Sequence, residues 1–249
     1  LTSIVSALKS DGVSQDGRQV NYYQIQMNPN YIRYTDEILP QLNKIDLDSF
    51  KTKEDKLAFW INIYNALVLH SVINFKITKS VKEKGYSGMT RFFSEAAYTI
   101  GGYRFSLEEI EHGILRANRG NPYVPCNQFI STDPRLKYSL NQVDPRIHFA
   151  LNCASTSCPP INFYTVDKIN DQLDLATRNF VDMETQLQDK QLKISSIFKW
   201  YKQDFGGQKS LIDFLIRYLP ESAKRKYLQE FGINSTIKYS PYDWSLNKI

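Results

Sequence analysis

One stretch of this sequence, residues 52–75, constrains the fold more than any other. At its start, Thr52 and Asp55 have the spacing of a capping box, in which each side chain bonds the backbone N–H of the other residue. The apolar residues that follow lie on every side of the predicted helix: Leu57, Trp60, Ile61, Ile63, Leu67, Leu69, Val72 and Ile73. A helix that is apolar all round is buried on all sides. The stretch therefore predicts a central core helix.

The composition is close to the average of soluble globular proteins, with 42% hydrophobic and 23% charged residues among 249. The net charge of +5 includes no block of five like charges, so we expect no nucleic-acid partner. We also expect no membrane span, because Asn62, Asn65 and His70 interrupt the longest apolar run. The partner that we expect is instead a protein or a peptide. The chain begins at Leu1 and not at Met, from which we expect a preceding segment, and the compartment stays open.

The other local patterns indicate a mixture of helices and short strands. Residues 97–100 and 103–105 flank Gly101-Gly102, which predicts a two-residue β-hairpin. Residues 119–145 are rich in Asn, Pro, Asp and Gly, which predicts an irregular segment. The predicted helices are 106–118, 166–183, 195–205, 209–219 and 221–231, and the other predicted strands are 147–153 and 236–239.

These elements predict the α+β class: one helix-rich domain with a buried central helix packed on a small, mostly antiparallel sheet. We expect residues 1–40 to form an N-terminal arm and residues 41–249 to form the single domain.

Two asparagines of the central helix are candidate functional residues. At helical spacing, Asn62 and Asn65 share a face with Ala58 and Ala66, which leaves room for another backbone to approach. Buried amides must be hydrogen-bonded. One interpretation is that they bond a neighbouring strand or loop, and the other is that one of them orients a catalytic histidine or polarises a substrate carbonyl. For His70, near the helix end, we expect a structural role.

The helix predicted at 106–118 places a carboxylate among apolar residues. Glu111 has Leu107 four positions before it and Ile114 three positions after it. Because burying an unpaired carboxylate is costly, we expect Glu111 to be buried and bonded to His148 or to an arginine. The alternatives are a structural salt bridge and a catalytic carboxylate that orients an imidazole or acts as a base. For His112 we expect a solvated flank of this helix.

The segment 144–160 carries the most informative group of residues. In the predicted strand, His148 and Asn152 lie on one face, and Cys153 and Cys158 follow. Buried thiols with a structural histidine, a thiol catalyst, a metal site and a disulfide all remain open. A metal is disfavoured because the sequence has no second close-spaced ligand pair, so we expect neither a metal nor a cofactor. Five residues of extended strand span about 16 Å, which would keep His148 from Cys153. Cys126 is isolated.

Several segments together resemble one family. They are LAFWINIYNA at 57–66, LEEIEHGILR at 107–116, DPRIHFALNC at 144–153, SCPP at 157–160, SIFKWYKQDFG at 196–206 and YDWSLN at 242–247. In this order they are similar to the domain of unknown function 547 family, over roughly residues 40–247. The family name records that its activity is not settled, so the resemblance by itself implies no mechanism.

We therefore predict a thiol-dependent hydrolase or acyltransferase that acts on a peptide-like or amide substrate. Cys153 would be the nucleophile, His148 the base and Glu111 the residue that orients it, by analogy with papain-like and transglutaminase-like enzymes. Asn62 or Asn65 would position the imidazole or the oxyanion, and Cys158 and His112 are alternates for the thiol and the base. The alternative is a non-catalytic interaction module with a structural polar core, and a redox role of the two cysteines ranks third.

Overall fold

The computed structural model describes residues 12–84, 91–124 and 126–249, and within these ranges the protein is a helix-rich α+β domain. Its α-helices are α1 (Tyr22–Met27), α2 (Pro29–Arg33), α3 (Leu39–Leu42), α4 (Lys53–Asn74), α5 (Arg91–Glu95), α6 (Ile169–Glu184), α7 (Ser196–Trp200), α8 (Gly207–Tyr218) and α9 (Ala223–Phe231). Its strands are β1 (Ala97–Ile100), β2 (Tyr103–Ser106), β3 (Gln186–Gln188), β4 (Gln191–Ile194) and β5 (Ile237–Tyr239). Two π-helices cover Tyr34–Ile38 and Glu109–Leu115. Short 3₁₀ helices cover Leu47–Ser49, Val81–Lys84, Pro134–Tyr138, Pro145–Phe149, Val166–Lys168 and Gly232–Asn234.

Helix α4 is the buried central helix that the sequence predicts. Both bonds of the capping box are present: the Thr52 hydroxyl accepts from the Asp55 N–H, and the Asp55 carboxylate accepts from the Thr52 N–H, each at 3.0 Å. Among the described helices, only α4 is long and apolar enough to cross a bilayer by length and composition. However, 78% of its most apolar window is buried inside the protein, as is usual for a core helix.

The strands form two small sheets. The sequence predicted the β1–β2 hairpin of the first sheet and β5 of the second. β1 and β2 pair antiparallel across Gly101 and Gly102, whose φ values of 56° and 84° suit glycine. The second sheet has the order β3-β4-β5, with an antiparallel and a parallel pair. The β3–β4 hairpin, which the sequence analysis did not predict, turns at Asp189 and Lys190, both with positive φ.

Two hydrophobic cores meet at the segment that carries His148. The first core surrounds α4 and the β1–β2 hairpin and includes Ile147 and Ala150. The second lies between α6, α8 and the second sheet and includes Phe149. His148, with its neighbours fixed in both cores, is therefore held at their junction.

The prediction of a strand at 147–153 is wrong. The chain forms the 3₁₀ helix Pro145–Phe149, with Asp144 as its N-cap and Pro145 in its first turn. An acidic cap followed by proline is a helix-start pattern, and here it prevails over the apolar alternation that favoured a strand. Because a 3₁₀ helix rises only about 2 Å per residue, the extended-strand separation of His148 and Cys153 does not apply.

Other predicted elements differ in their limits or type. The helix predicted at 106–118 begins with its capping box, in which Ser106 and Glu109 bond each other, but it continues as the π-helix Glu109–Leu115. The helix predicted at 195–205 is α-helical only to Trp200 and continues as turns to Gly206. Residues 1–11 of the predicted N-terminal arm lie outside the described residues.

The amides of α4 bond the backbone of the segments that follow His148. Asn65 Nδ2 donates to the carbonyls of Ala150 (3.0 Å) and Asn162 (3.2 Å), and its Oδ1 accepts from the Asn152 N–H (3.0 Å). Asn62 Nδ2 donates to the Tyr164 carbonyl at 2.7 Å, and Asn62 Oδ1 accepts from the Tyr164 N–H at 2.9 Å. These bonds match the first of the two interpretations of the asparagines, bonding to a neighbouring loop.

We predict that Asn65→Ala lowers the free energy of unfolding by about 3 kcal/mol, because it leaves buried backbone groups unpaired. The matched control is Asn74→Ala, the same change at the exposed last residue of α4, for which we expect a change within about 0.5 kcal/mol. Urea denaturation measures both. Equal effects of the two substitutions would contradict the assigned role of Asn65.

Candidate active site

A cavity of about 390 Å³ brings together most of the residues that the sequence analysis selected. Glu111, His112, His148, Cys153 and Cys158 all line it. Its aromatic lining includes Tyr64, Phe93, Tyr123, Trp200, Tyr201, Tyr242 and Trp244. Asn62 and Asn65 are absent from this lining, and their side chains bond the backbone carbonyls of Tyr164 and Ala150.

The π-helix explains why two consecutive residues, Glu111 and His112, both face the cavity. Its wider turn is visible in the bond from the Arg116 N–H to the Glu111 carbonyl at 2.8 Å, five residues earlier. The prediction of a solvated His112 is therefore wrong, because His112 is only 5% exposed. Gly113, next in the helix, packs against Phe129 so closely that a Cβ atom would lie 2.3 Å from the ring.

Glu111 is largely buried, as predicted, but its hydrogen-bond partners are tyrosines. Its side chain is 13% exposed, and its two oxygens accept bonds from the hydroxyls of Tyr64 (3.0 Å) and Tyr201 (2.5 Å). Burial alone would raise the pKa of Glu111, but nearby His112 and the Tyr201 hydroxyl bring the pKa below its usual value. Burial and the Glu111 charge raise the pKa of both phenols well above 10, so the phenols keep their protons and Glu111 is the anion.

The carboxylate that bonds His148 is that of Asp204, which the sequence analysis did not select. The Asp204 side chain is fully buried and accepts from His148 Nε2 at 2.8 Å. Arg116 donates to both of its oxygens, at 2.6 and 3.2 Å, and Arg119 donates to one at 3.0 Å. Burial would raise the pKa of Asp204, but the bonds from His148 and Arg116 hold it well below its usual range. Asp204 therefore stays ionised and fixes the histidine ring.

The same bonds assign the protons of the two histidines. Arginine is always protonated, so Arg116 donates to Nδ1 of His112 at 3.1 Å, and the proton of that ring is on Nε2. In His148 the proton is on Nε2, which donates to Asp204, so Nδ1 is the basic nitrogen. Burial lowers the pKa of His112 to about 4 and also lowers that of His148. Near neutral pH the site therefore contains an imidazole base and an imidazole N–H donor.

Cys153 and Cys158 form a disulfide in this structure, which is one of the alternatives that the sequence left open. The Tyr242 hydroxyl lies 3.2 Å from Cys153 Sγ and 3.1 Å from Cys158 Sγ, and Ser155 Oγ lies 2.9 Å from Cys153 Sγ. Cys126 is a free, exposed thiol. Both sulfurs are thus surrounded by hydroxyl groups on the wall of the cavity.

The comparison with known families agrees with the sequence resemblance. Residues 47–181, more than half of the chain, match the family model described as "Protein of unknown function, DUF547". The chain belongs to this family. The match includes Glu111, His148 and the disulfide, and it ends before Tyr201 and Asp204. No curated protein and no solved structure matched the chain.

Four residues of the site were missed because they reach it from distant parts of the chain. Tyr64 comes from α4, Tyr201 and Asp204 come from the turns after α7, and Tyr242 comes from the C-terminal segment. The available indication was that each lies in a segment that resembles the family of DUF547. His70, by contrast, is outside the cavity, and its Nδ1 lies 3.1 Å from the Tyr98 hydroxyl.

We predict that the protein loses stability as the pH falls from 7 to 5. The folded pKa of His112, about 4, lies below the usual unfolded value of about 6.5, so between these values the unfolded chain binds a proton that the folded protein does not. Stability is therefore present above pH 6.5 and decreases toward pH 4, by about 2 kcal/mol at pH 5 from this residue alone. Urea denaturation across this range, with His112→Gln for comparison, measures the effect. An identical pH slope in the variant would contradict the prediction.

Proposed function

We propose that this cavity is the active site of a thiol-dependent hydrolase or acyltransferase for a peptide-like or amide substrate. Cys153 is the nucleophile, and it becomes available when a dithiol reductant converts the Cys153–Cys158 bond to two thiols and is itself oxidised to a disulfide. The observation that carries the proposal is that Cys153, His148 and Glu111 line one cavity, while Asp204 bonds the His148 ring.

Each step has a residue with the required chemistry. His148 Nδ1 takes the proton of the Cys153 thiol, and the sulfur attacks the substrate carbonyl carbon. Asp204 holds the ring and stabilises the imidazolium that forms, as its bond to Nε2 permits. The Tyr242 hydroxyl, beside the sulfur, donates to the carbonyl oxygen as that oxygen becomes negative. The leaving amine takes the proton from His148, and water or a second amine then attacks the thioester and releases Cys153.

This assignment changes the role predicted for Glu111. Asp204 already bonds the nitrogen of His148 that an orienting carboxylate would bond. Glu111 instead bonds two phenols and lines the cavity, where a substrate group could reach it. In the proposal, Asp204 is the positioning residue and Glu111 is a substrate-binding residue.

The alternative, a non-catalytic module that binds a protein or peptide, is favoured by one observation. While the disulfide is closed, Cys153 has no thiol to act as a nucleophile. In that case the cavity binds its ligand without chemical change, and the disulfide serves the stability of the loop.

Two single substitutions separate these functions. Cys158→Ser leaves Cys153 as a permanent thiol, and Cys153→Ser is its matched control. Loss of a disulfide with a sequence separation of only 5 costs about 2 kcal/mol, so we expect both variants to fold. In Cys158→Ser we expect iodoacetamide at pH 7 to label Cys153 at least about tenfold faster than the exposed Cys126 of the same molecule. Mass spectrometry of the peptides measures both rates.

The same variants test acyl transfer. With p-nitrophenyl acetate we expect Cys158→Ser to release a burst of p-nitrophenolate equal to the protein concentration, and Cys153→Ser to release none. Adding His148→Asn or Asp204→Asn to Cys158→Ser should slow both reactions. If Cys153 reacts no faster than Cys126 and no burst occurs, the hydrolase proposal fails and the binding module remains.

A further inference from the structure

In the part of the chain that the structure describes, Glu111 is a buried anion that no lysine or arginine pairs directly. Its direct partners are the hydroxyls of Tyr64 and Tyr201, which are neutral. The nearest ring nitrogen, His112 Nδ1 at 3.9 Å, already accepts a bond from Arg116 and therefore carries no proton. Within residues 12–84, 91–124 and 126–249, no lysine or arginine forms an ion pair with Glu111.

The other buried carboxylate of the site is paired in the usual way. Asp204 binds Arg116 and Arg119 in addition to His148. Glu111 is stabilised differently: two neutral phenols donate to it, and His112, His148 and Arg116, which lower its pKa, lie beyond hydrogen-bond distance. Of the two carboxylates, Glu111 is therefore the one whose oxygens keep room for N–H donors of a cation from outside the chain.

The wall of the cavity has a surface that suits a cation and its alkyl chain. Trp200, Tyr242 and Trp244 pack together, with ring centroids 4.7–5.7 Å apart, and all three line the cavity. The faces of aromatic rings attract ammonium groups. The chain itself shows this attraction, because Lys82 Nζ lies 4.1 Å from the centroid of the Trp244 ring.

The cavity has a buried end and an exposed end. Tyr64 and His148 are buried and form the floor around Glu111, whereas Ser94 and Tyr123 are exposed and form the mouth. Glu111 therefore lies at the buried end of the cavity, away from the exposed residues of its mouth. The volume of about 390 Å³ lies in the range of small-molecule sites, so the ligand group is small or slender.

We propose that the floor of the cavity binds a primary aliphatic ammonium group, such as the side-chain amine of a lysine or diamino-acid residue. Glu111 accepts N–H bonds from the ammonium through lone pairs that the two phenols leave free, and the alkyl chain lies along the aromatic wall. A quaternary ammonium has no N–H to donate and fits this carboxylate less well. The inference deepens the proposed function by naming a group that the substrate carries, and it rests on that proposal for the assignment of the cavity as the substrate site.

The test compares two amides that differ only in the amine. 6-Aminohexanamide and hexanamide are titrated into the protein with its disulfide intact, and tryptophan fluorescence reports binding because two of the three tryptophans line the cavity. We expect 6-aminohexanamide to bind at least about tenfold more tightly than hexanamide, as a charged hydrogen bond implies. The 6-trimethylammonio analogue should bind more weakly than the primary amine.

Two matched substitutions locate the effect. Glu111→Gln should weaken the binding of 6-aminohexanamide at least about tenfold, and Glu108→Gln, which changes another carboxylate of the same cavity, should weaken it less than about threefold. Equal binding of the two amides by the parent protein would overturn the inference even if Glu111→Gln did not fold. Equal losses in the two variants would also overturn it, because the effect would then be one of general charge.

The result is independent of the thiol tests, because these titrations use the disulfide form, in which Cys153 has no thiol. Selective binding of the amine with an unreactive Cys153 would keep this inference and remove the hydrolase proposal. A reactive Cys153 without selectivity for the amine would keep the hydrolase proposal and remove this inference.

Discussion

The site depends on one buried ion, the carboxylate of Asp204. It joins three parts of the chain that are far apart in sequence: the end of the π-helix through Arg116, the 3₁₀ helix through His148, and the turns after α7. Burial of such a group is favourable only when its partners are well placed, and here Arg116 and His148 both donate to it. Because the bond to His148 also fixes which nitrogen of that ring carries the proton, the fold and the chemistry of the site share the same interaction.

The parts of the fold that the sequence predicted are those with local physical causes. The capping box at Thr52, the Gly101-Gly102 turn and the apolar surface of α4 act within a few residues, and each is present in the structure. The segment 147–153 was misassigned because apolar alternation and the Asp144-Pro145 helix start pointed to different structures, and the local cap prevailed. Periodicity alone could not decide between them.

Part of the site was predictable because some of its residues stand out in their local sequence. Glu111 was recognised because a carboxylate on an apolar helix face demands an explanation, and His148 and the cysteines were recognised because they lie close in sequence. Asp204 was not recognised, because its partners are 88 and 56 residues away and its own neighbours show no unusual pattern. The distinction between an α-helix and the π-helix at Glu109–Leu115 likewise depends on packing, which decided whether His112 faced solvent or the cavity.

In the function proposed for this site, the two buried carboxylates perform two tasks that a single carboxylate could not combine. A carboxylate that holds a histidine must have its charge compensated at all times, because otherwise the ring would move or become protonated, and the arginines at Asp204 supply that compensation. A carboxylate that binds a cationic ligand must lack a permanent cation, because a resident arginine would compete with the ligand. Glu111, which has two phenols and, among the described residues, no arginine at ion-pair distance, meets this second condition, while His112 and the Tyr201 hydroxyl keep it ionised despite its burial. In the chemistry proposed for the cavity, the chain itself neutralises the positioning carboxylate, Asp204. The binding carboxylate, Glu111, is left for the ligand.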